Sequence, residues 1–190
     1  MHLVMFDIDG TLTETMKVDE ECFVRSFENV FGFTGIDTDW SHYPHTTDSS
    51  IFHEIYTSRI GRSPTALDVS RFRQHFIDLL ATASSQSPFT SVAGAGRLLS
   101  RLACSGTHHV SLATGGWRDS AGLKMASAGM CFDDYPAATA DDALDRESIM
   151  GLSMQRAAKR YGGHSPVLFM SETEFGMLAH VAPWVFHSSA

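Results

Sequence analysis

Cysteine is scarce in this 190-residue chain. Cys22, Cys104 and Cys131 are an odd number, far apart and without CxxC spacing. This excludes a disulfide framework and a cysteine-based zinc site, and it suits a reducing cytosol, so a cytoplasmic protein is expected. No apolar stretch reaches the length of a membrane span, and acids cut the N-terminal apolar run before it attains signal-peptide length. No membrane contact is therefore expected. Positive charge is also short: 14 Lys and Arg against 22 Asp and Glu leave a net charge of -8, which argues against a nucleic-acid partner. The ten histidines are scattered and form no HExxH pattern, so solvated or hydrogen-bonded roles are expected. Internal repeats and low-complexity tracts are absent. What remains is 43% hydrophobic and 19% charged, enough apolar material for one core domain with a small accessory lobe.

The most informative segment is LVMFDIDGTLT at 3–13. A short apolar run reads as a buried strand that ends in Asp7 and Asp9 and turns at Gly10. With a side-chain period of two, the two acids project to the same side. Unpaired acids beside an apolar strand are costly unless a cation offsets them, and a divalent metal is the simplest choice. Asp-Gly alone is equally a turn signal.

Further along, residues 18–31 carry Val18, Cys22, Phe23, Phe27, Val30 and Phe31 on one helical stripe. A second helix is predicted over 48–60, with Thr47 or Asp48 as its cap. Thr65 caps a third helix, with Asp68 in its first turn, running to about residue 83. From about residue 97 the pattern alternates. Helices are predicted at 97–104, 118–128, 146–161 and 173–181, and strands at 109–114, 137–140, 166–170 and 184–186. Such alternation implies an α/β fold, a Rossmann-like parallel sheet with helices on both faces. Residues 14–85 contain no strand candidate and read as an inserted all-α helical cap. The core domain is then 1–13 with 86–190.

DIDGT, with the strand-ending Thr114-Gly115-Gly116 of SLATGGWRDS, resembles the first two motifs of the haloacid-dehalogenase-like (HAD) phosphohydrolases. The resemblance implies a Mg2+-dependent phosphatase acting on a small phosphorylated metabolite. Asp7 would be the nucleophile and Asp9 the general acid/base, with both at the metal. Thr114, Gly115 and Gly116 would cradle the phosphate through a hydroxyl and backbone amides. The family's third motif is a cation at a helix start, a place taken here by Arg146, with Lys124 as a mid-helix competitor. Arg118 reads equally as an anchor near the phosphate or as a solvated first-turn residue.

The fourth motif departs from the family. Where GDxxxD is usual, the chain reads SETEFG over 171–176, so Glu172 stands in for the metal-binding Asp and Gly176 for the second acid. Glu172 is a candidate third metal ligand, Glu174 a weaker one, and both read alternatively as acids in the first turn of a helix. Relatives usually continue beyond the strand that matches 184–186. The resemblance therefore covers about 1–165 well and the rest weakly. The small helical insertion resembles those of the phosphoglycolate phosphatase and β-phosphoglucomutase branch, where such a lobe contributes specificity. A sugar-phosphate mutase, or a HAD-fold binding or regulatory module with weak or lost catalysis, are the alternative expectations.

Overall fold

The computed structural model describes residues 1–163, 167–173 and 176–181, with side chains as far as Ser171. The sheet has the strand order β3-β2-β1-β4-β5. Its strands are β1 (His2–Phe6), β2 (His108–Ala113), β3 (Ala137–Ala138), β4 (Val167–Thr173) and β5 (Gly176–Val181). The first four run parallel, with Phe6 opposite Leu112 on one side and Met170 on the other. Asp7 N donates to Met170 O at 3.0 Å and ends the ladder.

Alternation along β1 decides which residues face which helices. Val4 and Phe6 join Leu99 of α4 (Ala95–Ala103) and Ala121 and Met125 of α5 (Arg118–Ser127). Leu3 and Met5 point the other way, onto Ile149 and Ala157 of α6 (Arg146–Tyr161). The sheet is thus covered on both faces, the arrangement that alternation of strands and helices predicts.

A third cluster is rich in aromatic rings. It is built by α1 (Met16–Phe31), α2 (Asp48–Ile60) and α3 (Ala66–Gln86). Phe23, Phe27, Phe52, Phe72 and Phe76 are buried together, and Trp117 reaches in from the end of the β2–α5 loop. Local signals set the helix ends. Thr65 and Asp68 form a reciprocal capping box at the start of α3, and Thr47, not Asp48, caps α2 by accepting from Ser50 N.

One predicted element is overturned. The helix expected at 173–181 is instead strand β5, antiparallel to β4 from Thr173↔Gly176 to Leu168↔Val181. A helix there would leave β4 with a row of unpaired backbone groups, whereas the antiparallel pairing of Gly176–Val181 covers that edge. Ser171 and Glu172 consequently lie within a strand, not at a helix start. The expected strand at 184–186 and Glu174 lie outside the described residues. Among the described residues, no helix is long and apolar enough to cross a membrane.

Candidate active site

Parallel strands bring their carboxyl ends to one side of the sheet, and ligands of such sheets bind in the crevice beyond those ends. There β1 delivers Asp7 and Asp9, β2 delivers Thr114, and the start of α6 delivers Arg146. Asp7 is buried, and each of its oxygens has a donor. Oδ1 accepts from Ile8 N at 2.8 Å, and Oδ2 accepts from Arg146 Nη1 at 2.7 Å. Arg146 therefore makes its ion pair with Asp7, not with the adjacent Asp145 or Glu147. The charge of Asp7 holds the guanidinium pKa above its usual value, against the opposing pull of burial.

Gly10, with φ +71°, turns the chain so that Asp9 is presented beside Thr13 and Thr15. Asp9 Oδ1 accepts from the Thr15 hydroxyl at 2.6 Å, and Oδ2 accepts from Lys124 Nζ at 2.6 Å. Lys124 also donates to Asp19 Oδ1 of α1 at 2.7 Å, and its side chain is fully buried. Burial disfavours the ammonium, but Asp19, Asp9 and Asp48 outweigh it and raise its pKa. Burial pushes Asp19 up to about 6 despite the neighbouring ammonium.

The β2–α5 loop is closely packed. A Cβ on Gly115 would lie 2.7 Å from Thr46 O and 2.9 Å from the Arg146 guanidinium, so only glycine fits. Arg146 thus touches both the Asp7 carboxylate and this loop. Thr114 is buried, and its hydroxyl oxygen accepts from Gly116 N at 3.1 Å. Trp117 N donates to Asp48 Oδ2 at 2.9 Å. The Gly116 amide, one of those expected to meet a phosphate, is therefore used within the protein, as is the next amide along the loop, that of Trp117. Burial is the main cause that lifts Asp48 to about 8, with the charge of Asp19 next.

The segment that opens α2 is fastened to this loop. Asp48 N donates to Gly115 O at 2.8 Å, Trp117 Nε1 to Ser49 Oγ at 2.7 Å, and Arg146 Nε to Thr46 O at 3.2 Å. Arg118 is not part of the cluster, because its guanidinium pairs with the exposed Asp133 at 2.6 Å and lies over Phe132.

Magnesium is commonly held by one or two carboxylates completed by water and phosphate oxygens. Asp7 and Asp9 each accept two hydrogen bonds, and an ionised carboxylate offers about four lone-pair directions, so both retain acceptor capacity. Their donor chemistry fits such an ion. Among the described residues, no group of three His, Cys, Asp or Glu could hold a metal. The backbone of Glu172 lies near the carboxyl end of β4, next to β1, and its side chain is outside the described set.

Sequence reasoning missed the Lys124–Asp19 contact and favoured a cap role for Asp48, which instead accepts from Trp117 N. A signal existed for the first pair. Lys124 shares the inward face of α5 with Ala121 and Met125, and Asp19 shares that of α1 with Cys22 and Phe23.

No family model matches the sequence, and no curated protein matches it significantly. Solved structures do match. A hydrolase from Pseudomonas syringae aligns with a TM-score of 0.69 at 16% identity, over 91% of this chain and 77% of that one. CbbY from Rhodobacter sphaeroides, solved in complex with phosphate, aligns with 0.67 at 14%, over 90% and 78%. A HAD hydrolase of family IA, variant 3, from Entamoeba histolytica aligns with 0.60 at 15%, over 92% and 77%. The chain has the fold of the HAD-like hydrolases.

Proposed function

We propose that this chain is a phosphatase that hydrolyses a small phosphomonoester through a phosphorylated Asp7. The observation that carries the reading is Arg146, one guanidinium touching both the Asp7 carboxylate and the glycine loop after β2. A phosphoryl group placed between them meets a nucleophile and a cation at once. An Asp7 oxygen attacks phosphorus, the bond from phosphorus to the ester oxygen breaks, and Asp9 gives its proton to the departing alkoxide. Water then attacks the phosphorus of the acyl phosphate and loses its proton to Asp9, which releases phosphate and frees Asp7. Arg146, with the Thr114 hydroxyl, holds the phosphoryl oxygens throughout. Magnesium held by Asp7, Asp9 and Glu172 would screen the repulsion between the attacking carboxylate and the anionic substrate.

The helices α1–α3 act as the cap, and Thr46, Asp48 and Ser49, which lie against the phosphate loop, select the remainder of the substrate. The phosphate in the CbbY structure belongs to that protein, and it supports an anion-binding role for the same fold here. Asp7→Asn should abolish hydrolysis of p-nitrophenyl phosphate in the presence of magnesium. Turnover in that variant equal to the parent's would remove Asp7 as nucleophile. A second reading, weak catalysis with a binding role, is favoured by Glu172 at the position where relatives carry Asp. A large rise in activity in Glu172→Asp would assign the deficit to the metal position alone.

A further inference from the structure

We infer that Lys124, anchored by Asp19, is the positioning residue of Asp9, holding that carboxyl in line with the leaving oxygen. The inference rests on the phosphatase reading above and adds a residue to it. Lys124 belongs to α5 and Asp19 to α1, while Asp9 follows β1, so one ammonium ties three separate segments together at 2.6 and 2.7 Å. A flexible four-carbon stem would ordinarily let an ammonium wander. Here the side chain is fully buried, and Ala121 and Met125 of the same helix are buried in the adjoining core.

The opposite oxygen of Asp9 is fixed by Thr15, whose hydroxyl lies 2.6 Å from that of Thr13. Donors on both oxygens restrict rotation of the carboxyl about its stem. Thr15 alone, a single hydrogen bond to one oxygen, leaves that rotation open. Asp19 has no place in the chemistry, and its partly buried carboxylate next to Lys124 is explained by the need to keep the ammonium in place. The arrangement also separates the two cations by task. Arg146 serves Asp7 and the phosphoryl oxygens, whereas Lys124 serves the acid that moves protons.

A general acid matters more for a poor leaving group than for a good one, so misplacing it has a graded signature. The experiment compares kcat/KM, which reports formation of the phosphorylated enzyme, for phenyl phosphate and p-nitrophenyl phosphate. The proteins are the parent and Lys124→Met, which keeps length and burial and removes the charge. The expected loss is about 100-fold for phenyl phosphate and about 10-fold or less for the nitrophenyl ester. Should Lys124→Met fail to fold, Lys124→Met/Asp19→Asn, which also neutralises the stranded acid, carries the same comparison.

An equal loss on both esters in a folded variant, or no loss, overturns the positioning role and leaves the phosphatase reading intact. A parent inert on both esters overturns the phosphatase reading, and this inference falls with it.

Discussion

Phe72 of α3 and Lys124 of α5 are both completely buried, yet opposite forces hold them. Phe72 lies among rings, with centroids 4.4 Å from Phe27, 4.7 Å from Phe52 and 5.1 Å from Phe23. Each contact there is favourable by itself, and the loss of one leaves the others in place. Lys124 lies among carboxylates, where every charge is costly in isolation and tolerable only beside its partner. The aromatic layer therefore supplies stability, while the strand-end cluster gives up part of it to hold charged side chains together.

Substitutions on the two sides should separate stability from turnover. The largest effect is the complete loss of activity in Asp7→Asn, with the fold retained by circular dichroism. Next comes Phe72→Ala, expected to lower unfolding free energy by about 3–5 kcal/mol in denaturant titration while turnover per folded molecule stays near that of the parent. Arg146→Ala is the converse. Its side chain is 40% exposed, so the pair with Asp7 adds at most about 1 kcal/mol to stability, but its loss should cut turnover about 100-fold. A melting temperature for Arg146→Ala as low as that of Phe72→Ala would erase the distinction.

The smallest effect is one of pH. Folding raises the Asp48 pKa from 3.8 to about 8. Between those values the native protein keeps a proton that the unfolded chain has released, so stability should fall as pH rises through that window. Asp48→Asn, permanently neutral, should show a shallower fall in melting temperature between about pH 5 and about pH 8. Asp19 contributes in the same direction up to about 6 in both proteins, so only the difference in slope belongs to Asp48. Parallel curves would mean that Asp48 is ionised in the folded state.

Much of the sheet was legible because short-range pattern decides it. Alternation fixed the faces of β1, a 3.6-residue period located α1, and good caps located α2 and α3. The strand-end acids were legible because DIDGT is specific. The C-terminal hairpin was not, since Gly176–Val181 is a mostly apolar run short enough to suit either structure, and pairing with the neighbouring edge of β4 decided it. Lys124 was passed over because its partners are 105 and 115 residues away in sequence, and a lysine in mid-helix ordinarily points to water. Asp48 looked like a helix cap because Thr47 and Asp48 are both good caps, and only the packing of the β2–α5 loop frees the second for another donor.

Trp117 has a consequence for motion. Its backbone amide belongs to the loop after β2, while its ring sits against Phe23, Phe52, Phe72 and Phe76 beneath Arg73. If α1–α3 swung away as a rigid unit, that ring would be stripped of its surroundings. An indole of about 200 Å² at about 25 cal/mol per Å² makes this cost roughly 5 kcal/mol, so the swung-out form would be populated less than about once in a thousand molecules.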